Sequence, residues 1–161
     1  MKNLIYLGAM ALLFATVGCK KSDAHVDQPK AMQINCVNNL KQIGLEFRIW
    51  EGDHKDKHPF DVSTNDVGVM ELVTVKDGVR QNSYLILQCM SNELRSPILL
   101  VCPQDNSKVI AKDWASLSGS NISYIFPASN ASNVMAVCPI DGNILYEDGT
   151  VLEKSTGKHS F

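Results

Sequence analysis

The apolar residues between Lys30 and Glu51 constrain the fold of this chain more than any other feature. Cys36, Leu40, Ile43, Phe47 and Trp50 recur at spacings of four and three, which places all five on one face of a 3.6-residue helix. Asn38, Asn39, Lys41, Gln42 and Arg48 turn elsewhere. Pro29 suits the first turn, Gly52 ends the pattern, and Pro59 prevents its resumption. A long helix with one apolar stripe buries that stripe only against a second layer, so the rest of the chain must supply one.

The remaining segments read as short elements. Val67 to Val79 predicts a small hairpin around Asp77-Gly78. Gln81 to Leu94 predicts a second helix whose apolar face holds Leu85, Cys89 or Leu87, and Leu94, with Ser96-Pro97 ending it. Ile98 to Cys102 predicts a core strand that stops at Pro103. Three further strands are expected at Asn121 to Phe126, Asn133 to Val137 and Asn143 to Tyr146, and a fourth at Thr150 to Glu153 after the Asp148-Gly149 turn. With 161 residues, 45% apolar and 20% charged, the chain has the composition of one globular domain. The expected class is α+β: a long N-terminal amphipathic helix packed on a small antiparallel sheet, with a second shorter helix.

Ahead of this domain, Lys2 precedes an uninterrupted apolar run from Leu4 to Gly18. The run is short for about 30 Å of hydrocarbon and ends in small residues, as a signal segment does. Thr16-Val17-Gly18-Cys19 resembles the bacterial lipobox, with Thr16 at the position usually held by Leu. That resemblance implies a signal peptide over residues 1–18, lipidation of Cys19, a polar tether over 19–29, the domain over 30–155 and a disordered tail over 156–161. Acyl chains partition into bilayers at about 0.8 kcal/mol per buried methylene, so the membrane itself is the first expected partner. Lys20 follows Cys19, which under the sorting rule of enteric bacteria favours the outer membrane over the inner, with the domain facing the periplasm. Loss of residues 1–18 removes Lys2 alone among the charges and takes the formal net charge from −2 to −3. A weakly acidic surface of this kind carries no footprint for nucleic acid.

Four cysteines remain beyond Cys19: Cys36, Cys89, Cys102 and Cys138, at spacings of 53, 13 and 36. No CxxC pair is among them, which argues against a zinc ribbon or a thioredoxin-like site. Cys102 and Cys138 open matching phrases, VCPQD and VCPID, and either form a disulfide between neighbouring strand ends or remain buried thiols. A bridge closing about 36 residues stabilises by roughly 3 to 4 kcal/mol in the chain-entropy model. Cys36 and Cys89 lie on apolar helix faces and either pair or pack; four cysteines allow three connectivities. His54 and His58 invite a metal reading at i, i+4, but Pro59 biases His58 away from helix, which favours a solvated loop. The other histidines are His25 and His159, and there is no GxSxG, HExxH or phosphate-binding glycine loop. No enzymatic activity is expected.

CVNNLKQIG, Cys36 to Gly44, followed by FRIWEGDHKDKHPF, resembles the start of the soluble domain in type II secretion pseudopilin-like proteins of planctomycete and verrucomicrobial type, which are similar to type IV pilins. Ser91 to Leu94 (SNEL), LLVCPQD (Leu99 to Asp105), WASLSGSNISYIF (Trp114 to Phe126) and GNILYEDGTV resemble the later motifs of that family in the same order. The resemblance spans roughly residues 31 to 152. It implies a pilin-like head and a structural or accessory place in a type II secretion or pilus-like envelope assembly, with pseudopilin or apparatus subunits as partners. Leu40, Ile43, Phe47 and Trp50 would form the helix that such a head packs on. The family's usual prepilin leader with its Glu-bearing helix is replaced here by the lipobox, and Ile140-Asp141 stands where relatives often carry His. Some pseudopilins bind calcium in a loop near the C-terminus, which makes Asp141, Glu147 and Asp148 candidate calcium ligands. That candidate defines the alternative function, a calcium- or ligand-binding envelope lipoprotein reusing the same head. The competing reading of those acids is turn chemistry, since Asp-Gly pairs supply the positive φ that tight turns require. No cofactor is otherwise required.

Overall fold

The computed structural model describes residues 28–128 and 133–154. The expected signal peptide, Cys19, most of the expected tether and the expected tail therefore lie outside the described residues. The fold mixes helix and sheet: helix α1, Gln28–Asp53, two further short helices, and two small antiparallel sheets.

Helix α1 follows from its spacing. Cys36, Leu40, Ile43, Phe47 and Trp50 are all buried and form the spine of the core. Pro29 sits in the first turn, as expected for a residue without an amide proton to satisfy. Across from the spine stands the sheet β3 (Val134–Val137), β4 (Ile144–Tyr146) and β5 (Val151–Leu152), paired antiparallel in that order. Leu145, at the centre of β4, is fully buried and meets α1 at Gly44. A Cβ on Gly44 would stand 2.7 Å from Leu145 Cδ1, so the helix reaches the sheet this closely because residue 44 has no side chain. The end of the helix is tied down as well: Gln33 Nε2 donates to the Lys154 carbonyl just past β5.

The second sheet is the expected hairpin, β1 (Val75–Lys76) and β2 (Val79–Arg80). Asp77 and Gly78 both take positive φ, 52° and 74°, the combination that a two-residue turn matched to strand twist demands. The sheets are linked through residues 125–127. Ile125 exchanges two backbone hydrogen bonds with Val137, and Pro127 bridges Val79. The Arg80 guanidinium donates to the Pro127 carbonyl and lies over the Phe60 ring at 3.8 Å.

Three expectations are corrected. The helix expected over Gln81 to Leu94 is two pieces, α2 (Ser83–Cys89) and α3 (Ser91–Leu94), with Met90 between them. Its buried face is Ile86, Leu87, Met90 and Leu94, while Leu85 and Cys89 are only partly buried. The apolar period continues across the break, so periodicity alone does not register it. The strand expected at Ile98 to Cys102 begins instead as a 3₁₀ turn, Pro97–Leu100. Ser96 accepts a hydrogen bond from the Ile98 amide, and Pro97 presets the first helical φ. The strand expected from Asn121 is likewise a 3₁₀ turn at Gly119–Asn121, closed by a Ser118/Asn121 capping box, and pairs as strand only at Ile125.

The histidine loop is not simply solvated. His54 stacks on Trp50, ring centroids 3.6 Å apart, with Nδ1 2.7 Å from the Trp50 carbonyl. His58 Nδ1 lies 2.6 Å from Glu51 Oε1, with its ring against Phe47 and Phe60. The His54 imidazole closes the C-terminal end of α1, where unpaired carbonyls attract donors, while His58 is held beside it by the Glu51 carboxylate.

Candidate thiol and carboxylate site

Cys36, Cys102, Cys138 and Asp141 converge where α1 meets the turns after residues 101 and 137. One side-chain donor atom from each, three sulfurs and one carboxylate oxygen, lies within 4.8 Å of every other, and all four residues are buried. Among the described residues this is the group of three or more histidine, cysteine or acidic side chains close enough to share one ion.

Each donor is placed by a different element. Cys36 projects from the buried face of α1. The Asn39 side chain, one turn on, donates to the Val101 carbonyl at 3.3 Å and holds the chain entering Cys102 against the helix. Cys102 ends the segment after the Pro97 turn. Its amide donates to Ser123 Oγ at 3.0 Å, while the Ser123 amide donates to the Leu100 carbonyl. Cys138 follows β3 directly, its amide donating to the Asn143 carbonyl at 2.9 Å. Pro139 then ends the strand, and the chain turns so that the Gly142 amide donates back to the Cys138 carbonyl at 2.8 Å. That turn brings Asp141 beside Cys138, with the Asp141 amide 3.5 Å from Cys138 Sγ.

The matching phrases VCPQD and VCPID thus fold into similar turns with different outcomes. In the first turn the Asp105 amide donates to the Cys102 carbonyl, where in the second it is the Gly142 amide that returns to Cys138, and the Asp105 carboxylate accepts from the Ser107 amide and hydroxyl at 3.0 and 2.6 Å. Those bonds, led by the one from the Ser107 side chain, hold its carboxyl below the usual carboxylate range. Asp141 has no serine two residues later. Its Oδ2 instead accepts from the Cys102 thiol at 3.3 Å. The one ion pair among the described residues is His58 with Glu51, so a carboxylate only 7% exposed stands among thiols with no cationic side chain paired to it.

The thiols divide their protons unequally. Hydrogen bonding from the Cys102 thiol, followed by that of Cys36, draws Cys138 well below the ordinary thiol range. The contact with Cys138, together with burial, pushes Cys102 up, and contacts with Cys102 and Cys138, together with burial, push Cys36 up. The turn amides of Asp141 and Ile140 also favour the Cys138 thiolate. Burial raises the Tyr124 hydroxyl too, and that hydroxyl lies 4.0 Å from Cys36 Sγ.

All four thiols are free in the structure. The pair Cys102 and Cys138 is brought together as the sequence suggested, but Cys36 joins it instead of Cys89. Cys89 lies apart on α2, its thiol donating to the Val67 carbonyl at 2.9 Å. The candidate calcium ligands are not gathered. Asp141 belongs to the thiol cluster, while Glu147 and Asp148 line an open groove with Arg48, Glu51 and His58. Asp148 Oδ1 accepts from the Thr150 amide and hydroxyl at 2.8 and 2.6 Å, which is turn chemistry. Sequence reasoning missed the convergence of Cys36 with the other two cysteines. The repeated VCPxD phrase was the only signal that pointed to any part of it.

No helix among the described residues is long and apolar enough to cross a membrane. Comparison with protein-family models, curated proteins and solved structures finds no match to the chain.

Proposed function

We propose that this protein is a non-enzymatic, lipid-tethered, pilin-like head that serves as a structural or accessory component of a type II secretion or pilus-like envelope assembly. The observation that carries the reading is the outer face of α1. Opposite the buried spine, Ile34, Leu45 and Ile49 are 47%, 57% and 47% exposed and recur at helical spacing with Asn38 and Lys41 between them. Leu45 and Ile49, one turn apart on the solvent side, give that face an apolar spot that a partner could cover. The lipobox and the ordered family motifs support the tether and the assembly context. Cys19 supplies the membrane anchor, and the short polar tether keeps the head near the bilayer.

Two substitutions test this. Cys19→Ser is expected to abolish acylation and to leave the leader attached, both read by intact mass. Leu45→Glu with Ile49→Glu is expected to leave stability within about 0.5 kcal/mol, since both residues are at the surface. The same pair should abolish co-isolation of the protein with secretion-apparatus subunits from detergent-solubilised envelopes. Retained co-isolation would remove the outer face of α1 from the reading.

A further inference from the structure

We infer that Cys36, Cys102, Cys138 and Asp141 form a structural site for a single tetrahedral zinc ion. The donor set has the right chemistry and scale. Thiolates select soft or borderline ions, and three sulfurs with one carboxylate oxygen complete a four-coordinate shell for zinc. Zinc–sulfur bonds of about 2.3 Å put tetrahedral sulfurs about 3.8 Å apart. A cluster whose donors all lie within 4.8 Å closes onto an ion with movements of about 1 Å or less, and the 3.3 Å between Cys102 Sγ and Asp141 Oδ2 is already at ligand spacing.

The local backbone matches as well. Cys138-Pro139-Ile140-Asp141 is a Cys-x-x-Asp turn in which the Asp141 amide faces Cys138 Sγ and the Gly142 amide returns to the Cys138 carbonyl. Such a turn presents its first and fourth side chains to one point, the spacing at which paired zinc ligands occur. Cys102 comes from the equivalent turn and Cys36 from the helix, so the ion would join α1, the turn after residue 101 and the turn after β3. An approach exists, because a surface groove lined by Asn35, Asn39, Val101, Cys102 and Pro103 reaches the Cys102 side of the cluster.

Donor satisfaction separates zinc from the disulfide alternative. A Cys102–Cys138 bridge consumes the thiol hydrogen that Asp141 accepts, and leaves a buried carboxylate with neither that donor nor a cation. Orphaning a buried polar group costs about 1 to 3 kcal/mol, and more for a charged one. Zinc uses all four side chains. The three thiol protons pass to water, no electron is transferred, and the dication cancels two of the four negative charges while occupying a donor atom of every side chain.

The test uses the full chain, extracted from membranes in detergent, with one portion thiol-blocked at extraction to count disulfides and the other kept reduced for metal binding. Metal analysis is expected to find one zinc per chain. Cobalt(II) added to the stripped protein is expected to give the visible bands of a tetrahedral ion together with thiolate charge-transfer absorption. Asp141→Asn, close to isosteric, should weaken zinc binding at least about 10-fold. Cys36→Ser should remove part of the charge-transfer intensity, and Cys89→Ser should change neither. If Cys36→Ser fails to fold, Asp141→Asn and Cys89→Ser still decide the matter. Reduced protein that takes up neither ion, a Cys102–Cys138 disulfide in the protein as extracted, or equal weakening by Cys89→Ser and Asp141→Asn would each overturn the site.

Discussion

Phe47→Ala is expected to cost about 3 to 5 kcal/mol of folding stability, the usual range for emptying a buried aromatic site. Phe47 is 1% exposed at the centre of the α1 spine. Its ring meets Phe126 at a centroid distance of 6.3 Å and His58 edge-on at 6.1 Å, so its loss empties the junction of the helix, the residues 125–127 bridge and the histidine turn. Those neighbours are held by backbone bonds of their own, including the two between Ile125 and Val137, and collapse into the space poorly. A domain of ordinary stability, about 5 to 15 kcal/mol, would lose a large share of it. Urea titration of the full chain measures the loss, with Ile49→Ala, on the exposed side of the same helix, as a control expected within about 0.5 kcal/mol. A Phe47→Ala cost below about 1 kcal/mol would contradict the packing of α1.

Gly68→Ala is expected to be of similar size, at least about 3 kcal/mol, for the opposite reason. A Cβ there would lie 1.9 Å from the Val62 carbonyl oxygen and 2.4 Å from its carbon. The obstacle is backbone, which no rotamer change relieves. That carbonyl also accepts the Met70 amide at 3.0 Å, and the Gly68 amide donates to the Ser63 carbonyl at 2.9 Å. The methyl group could be accommodated only by breaking part of the 59–70 loop, beyond the usual overpacking cost of about 1 to 3 kcal/mol. Loss of that loop would expose Phe60 and Val62, both buried. A thermal melt of Gly68→Ala against Gly52→Ala, where a Cβ meets nothing within 4 Å, separates the clash from general glycine effects.

How much of this was legible in the sequence depended on the range of the interaction. The α1 spine was legible because each apolar residue predicts the next one a turn away. The Asp77-Gly78 hairpin and the β3 to β5 meander were legible because their turns carry their own chemistry. The Pro97–Leu100 turn was not, since Pro97 was read as the end of a helix when it also starts one. Nor was the break at Met90, which leaves the apolar period intact. The site was half legible. Two VCPxD phrases announced two similar turns, but only the first carries a serine two residues later, Ser107, that takes up its aspartate locally. That Cys36 completes the cluster is a tertiary fact: the helix must lie across both turns before its sulfur arrives, and nothing within a turn of Cys36 specifies those partners.

The most direct test of the proposed role is site-specific photocross-linking in intact cells, with the photoreactive residue at Leu45 on the outer face of α1 and, for comparison, at exposed Val109. The account predicts an adduct from position 45 to a pilin-like or secretion-apparatus subunit identified by mass spectrometry, lost when Ile49→Glu is added, and no such adduct from position 109. No adduct from position 45, or the same adducts from both positions, would contradict it.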